Sequence, residues 1–122
     1  MNRKIIEKYL NPYNKDDSFI SFNACPYMVA QNLPKIYGYL SLKDAQNESP
    51  TTEEMISIAS KYKGTLEGYV ITLNSGRPDA RITFDGFIIP VCKSTAYKLK
   101  NKLYPSEFDE VFEPHGWRFW WD

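Results

Sequence analysis

The sequence predicts an α+β fold: one compact domain over residues 1–122, with three to four helices packed on a mostly antiparallel sheet and an aromatic strand at the C-terminus. Three observations carry that expectation. A chain of 122 residues has room for one hydrophobic core and little more. Its 43% hydrophobic and 25% charged residues are the balance of a folded rather than a disordered chain. Its 16% aromatic content suits the half-buried surface of a sheet, and Asp85-Gly86, set between two apolar β-prone runs, reads as the type I′ turn of a hairpin.

Taken in order, residues 2–10 predict a short helix, with Ile5, Ile6, Tyr9 and Leu10 on one face and Asn11-Pro12 ending it. A polar loop over 13–17 leads into a strand over 18–23. Asn23 can cap a second helix, with Pro26 in its first turn and Leu33-Pro34 at its end. Residues 36–42 alternate as a strand, and 43–50 form a loop. The next helix has the clearest signals. Thr51 or Thr52 caps it, Glu53 and Glu54 suit the first turn, Met55, Ile56, Ala59 and Tyr62 form the apolar stripe, and Gly64 closes it. A strand over 68–74 and a loop over 75–80 precede the expected hairpin, in which Pro90 marks an edge or an end. Residues 94–103 predict a helix capped by Ser94, with Ala96, Leu99 and Leu103 inward and Pro105 blocking continuation. SEFDEVF then adds one acidic turn, and GWRFWW is the last strand.

Fifteen basic and fifteen acidic residues cancel, so a partner held by a whole-surface field, such as bulk nucleic acid or an anionic membrane, is not implied. Eleven lysines against four arginines also count against bidentate phosphate reading. No segment approaches a membrane span, and the N-terminal run lacks the apolar core of a signal peptide. The expectation is a cytoplasmic protein with Cys25 and Cys92 reduced. With a single histidine, His115, a zinc site would be short of ligands, and neither a metal nor a cofactor is expected.

No motif names a reaction. Cys25, just before Pro26 at the expected helix start, has the setting of a thiolate, and His115 would be its base. The plainer reading makes Cys25 a small buried hydrophobe and His115 a turn residue. The loop NSGRPDAR offers Arg77 and Arg81 beside a glycine, a composition that can hold a phosphate, although Gly, Pro and Asp there also serve ordinary turn geometry. Lys93, Lys98, Lys100 and Lys102 lie on one short helix with no acid from Val91 to Tyr104, and can contact phosphates. Their angular spread is wide, and Glu107, Asp109, Glu110 and Glu113 follow directly, so the helix can be neutralised within the chain.

The aromatic C-terminus is the strongest feature. Seven aromatic residues fall between Tyr104 and Trp121. Strand alternation puts Trp117, Phe119 and Trp121 on one face, the expected core, and Arg118 and Trp120 on the other. Trp120 is thereby surplus to the core, and a tryptophan beside an arginine is the composition of a binding hot spot. The sequence therefore favours a small non-catalytic protein-binding module, an inhibitor, immunity-type or accessory protein of a bacterium or phage, with a homodimer among its forms. Trp120, Arg118, Phe112 and Phe108 are its contact residues. The alternatives are a nucleic-acid-binding domain using the four lysines with Arg77 and Arg81, and a small enzyme centred on Cys25 or the 74–81 loop.

Overall fold

The computed structural model describes residues 10–13, 16–33, 49–71 and 81–122. They form one sheet of six strands: β1 (Leu10–Tyr13), β2 (Asp16–Pro26), β3 (Thr65–Ile71), β4 (Arg81–Ile89), β5 (Glu107–Phe112) and β6 (His115–Trp120). The order across the sheet is β1-β2-β3-β4-β6-β5, with every neighbouring pair antiparallel. Three helices are present among the described residues: α1 (Tyr27–Ala30), α2 (Thr52–Tyr62) and α3 (Lys93–Leu103). The fold is α+β as expected, but dominated by strands. The strand predicted over 36–42, the loop 75–80 and all but Leu10 of the helix predicted over 2–10 lie outside the described residues.

The core is one cluster on one face of the sheet. Ile20, Phe22, Leu66, Val70, Phe84, Phe87, Trp117 and Phe119 meet Val29 and Ala30 of α1, Met55 and Ala59 of α2, and Ala96 of α3. Helix α2 forms as its sequence specifies. The Thr51 hydroxyl accepts from the Glu54 N–H at 3.2 Å, and the Glu54 carboxylate accepts from the Thr51 N–H at 3.5 Å, completing a capping box. The helix ends where expected, but Lys63, not Gly64, takes the left-handed conformation (φ 56°). Gly64 serves packing instead: a Cβ there would run into the Ile88 carbonyl and the Ile89 side chain.

Four sequence expectations are overturned, each by pairing between strands. Leu10 is not helical; it opens β1 and pairs with Phe22. The helix expected from Asn23 to Leu33 shrinks to the single turn of α1, because Cys25 and Pro26 stay in β2 and pair with Leu66 and Thr65. An irregularity between Phe22 and Cys25 absorbs the mismatch, with Ala24 at φ 47°. The expected hairpin at Asp85-Gly86 is absent: β4 runs straight through it, bonded to β3 on one side and β6 on the other. Neither residue adopts the positive φ that a type I′ turn needs. Glu67 pairs with Gly86 and Gly68 with Phe84, which leaves Asp85 as the extra residue of a β-bulge. Gly68 belongs to the same bulge, since a Cβ there would overlap the Thr83 carbonyl.

The fourth correction concerns SEFDEVF, which is strand β5 rather than a helical turn. Phe108, Val111 and Phe112 have a spacing that also suits a helix. Pairing with β6, across a tight turn at Glu113-Pro114, decides otherwise. Helix α3 has its expected inward residues, but it starts one residue early and its N-cap is Cys92, not Ser94.

A candidate interaction surface on the β5–β6 hairpin

Strand β6 divides its side chains as alternation predicts. Trp117, Phe119 and Trp121 are 5%, 0% and 2% exposed, whereas Arg118 and Trp120 are half-buried on the opposite face. The terminus is held by more than packing. The Trp121 N–H donates to the bulge carbonyl of Asp85 at 2.8 Å, the Ser106 N–H donates to the Trp120 carbonyl at 2.8 Å, and the Trp121 indole donates to the Leu103 carbonyl at 3.3 Å. The Asp85-Gly86 bulge therefore aims a carbonyl at the chain end.

On the second face, register builds a polar clamp. Glu67, Gly86, Trp120 and Glu107 lie side by side across four strands. Arg118, one pleat away, reaches diagonally to both acids. Its guanidinium donates to Glu67 at 2.6 Å and 3.4 Å, and to Glu107 at 2.9 Å. Gly86 makes this reach possible, because a Cβ there would stand 2.8 Å from the Glu67 carboxylate. Partial burial alone would lower the proton affinity of Arg118; the hydrogen bonds to Glu67 and Glu107 outweigh it and raise the pKa. The guanidinium carbon lies 5.8 Å from the Trp120 ring centroid, within cation–π range. Asp85 is pushed up to about 6, by burial first and then by the nearby Glu67 charge, against its own backbone hydrogen bond and Arg118.

The four expected contact residues occupy three places. Trp120 and Arg118 are together on the second face. Phe108 is on the core face, stacked on Trp117 at 5.1 Å and edge-on to Tyr97 and Phe119 at 5.2 Å and 5.0 Å. Phe112 is 72% exposed at the turn end of the hairpin, opposite His115 in register. The His115 ring nitrogen lies 3.0 Å from a Glu110 carboxylate oxygen.

The lysine helix divides as well. The Lys93 and Lys100 ammonium groups stand 5.8 Å and 5.4 Å from the Tyr97 ring, and Lys100 lies 5.2 Å from Phe108. Lys98 and Lys102 are exposed on another side of α3. Among the described residues, no ion pair joins either of them to the acids of 107–113. Arg77 lies outside the described residues; Arg81 heads β4.

Cys25 and His115 are not brought together. Cys25 is fully buried in β2, where burial pushes its thiol up to about 12, and β3 and β4 stand between it and β6. Sequence reasoning passed over Cys92. This exposed thiol has the hydroxyls of Ser94 and Thr95 each 3.3 Å away, and their hydrogen bonds push it down to about 6. The signal was the Cys-Lys-Ser-Thr run at a helix start. Glu67, Asp85 and Glu107 were also missed, and for the Glu67–Arg118 contact nothing local could have shown it.

Among the described residues, no cluster of His, Cys, Asp and Glu is arranged to hold a metal ion, and no helix is long and apolar enough to cross a membrane. Comparison with protein-family models, curated proteins and solved structures returns no match.

Proposed function

We propose that this chain is a non-catalytic protein-binding module whose contact surface is the β5–β6 hairpin. The observation that carries this reading is Trp120, a large aromatic only half-buried, on the sheet face opposite the described helices and braced by an arginine with two carboxylate partners. A braced aromatic loses little side-chain freedom on binding, which is the economy of a hot spot. Phe112 is a separate exposed aromatic at the hairpin tip, on the other face from Trp120. A photo-crosslinking amino acid placed at 120 or 112 in the native host is expected to trap a partner protein, and Trp120→Ala is expected to lose it while the fold stays intact. Unchanged partner capture by Trp120→Ala would overturn the reading.

One observation favours a second reading. The Lys93–Tyr97–Lys100 stripe, with Tyr97 41% exposed between two ammonium groups, has the composition of a stacking platform for single-stranded nucleic acid. It predicts oligonucleotide binding that weakens steeply with salt and is lost in Tyr97→Ala.

A further inference from the structure

We infer that the free edge of β5 takes up a basic, extended segment of another protein as a seventh strand. This rests on the binding-module reading and supplies the chemistry of the partner. Strand β5 ends the sheet and, among the described residues, pairs with β6 alone. About half of its backbone N–H and C=O groups therefore point away from the sheet, as a template for strand addition. Two of the usual defences of an edge are missing among the described residues: its register with β6 has no bulge, and no proline interrupts Glu107–Phe112. What guards it is charge, and all of one sign.

Glu107, Asp109, Glu110 and Glu113 are exposed along this edge. Glu107 is matched by the Arg118 guanidinium, and Glu110 has the His115 ring nitrogen at hydrogen-bond distance. Asp109 lies directly opposite Arg118 in register, yet the guanidinium is committed to Glu67 and Glu107. Among the described residues, Asp109 and Glu113 have no cationic partner. A strand laid on β5 with Lys or Arg beside Asp109 supplies the missing charge, and the exposed Phe112 offers an aromatic contact at the end of the same edge. A second copy is the wrong occupant. Antiparallel self-pairing of this edge opposes residues of the same face, so centring it on β5 sets Asp109 against Asp109 or Glu110 against Glu110, and like charges directly opposite are destabilising.

The test uses a synthetic peptide of alternating Lys and Val, about ten residues long, its Glu–Val counterpart, and an N-methylated Lys–Val version that keeps the charge but cannot pair. The Lys–Val peptide is expected to shift the amide resonances of β5, slow their hydrogen exchange and weaken with salt. N-methylation, and separately the Asp109→Lys/Glu113→Lys variant, are each expected to cost about tenfold or more in affinity, and the variant is expected to favour the Glu–Val peptide. Shifts confined to α3 or to the Trp120 face, or equal binding of the N-methylated peptide, overturn the proposal. If partners are trapped from position 120 while the peptides leave β5 untouched, the edge proposal falls and the module reading stands. If the peptides pair with β5 while positions 120 and 112 trap nothing, the aromatic surface falls and the edge stands.

Discussion

The two faces of β6 are built from the same six-residue strand and held by different physics. The inward face is apolar and dense: Phe119 stacks on Phe87 at 4.8 Å, and Trp121 lies 5.7 Å from the same ring. Its stability comes from area removed from water and from close packing. The outward face is a half-solvated network in which one arginine serves two glutamates and an indole. Its contribution is small in net energy, because desolvation offsets attraction, but it fixes orientation. The first face makes the domain; the second holds side chains where another molecule can meet them.

The largest effect expected is on the inward side. Phe119→Ala should destabilise by about 3–5 kcal/mol, measured by denaturant unfolding, because it opens a cavity between Phe87 and Phe108. A loss below about 1 kcal/mol would mean that the core is not the stack described. Next is Arg118→Ala, expected to cost about 2 kcal/mol by leaving Glu67, whose side chain is only 18% exposed, without its cation. Glu67→Gln in the same background should recover part of that, in a double-mutant cycle.

Asp85 gives a pH test of the outward side. Its folded pKa of about 6 lies above the 3.8 of a free side chain, so the folded state holds the extra proton between these values. The neutral carboxyl is tolerated below pH 3.8, and stability falls as pH rises through about 6. Asp85→Asn should therefore be more stable than the parent at neutral pH, by about 1–2 kcal/mol after discounting for partial solvent contact, with the gain vanishing in acid. Thermal unfolding at a series of pH values reads this directly; a constant difference would refute it. Trp120→Ala should cost only about 1 kcal/mol of stability while weakening partner capture about tenfold or more. Such a separation of stability from binding is what distinguishes the two faces.

The smallest effect expected returns to the core. The buried Trp117 indole N–H has no hydrogen-bond partner among the described residues. Trp117→Phe removes that orphan donor and some packing together, so the two terms oppose, and calorimetry should find a net change within about 1 kcal/mol.

How much of this was legible depended on whether the information was local. The Thr51–Glu54 capping box is written within four residues, and helix α2 followed from it. The Trp117–Phe119–Trp121 alternation is written within five, and those side chains are buried as predicted. Asp85-Gly86 was read as a hairpin turn and is a bulge within β4. The same dipeptide suits either, and only partners on both sides of β4 select a bulge. In 107–112, helical spacing and a strand's place beside β6 disagreed, and the pairing won. The contact residues divided similarly. Alternation separated Trp120 and Arg118 from the core strip, but Phe108 was sent inward by Tyr97, Trp117 and Phe119.

By itself, the sequence determined the capped start of α2, the inward and outward sets of β6, and an aromatic surplus at the C-terminus. Only the tertiary structure decided that Glu67, fifty-one residues from Arg118, would be its partner, that Asp85 would become a bulge, and that an acidic segment would lie as the open edge of a sheet. The physical reason is that period and capping are properties of neighbouring residues. Strand order and register are set by which distant segments share a core, and they determine which charges meet.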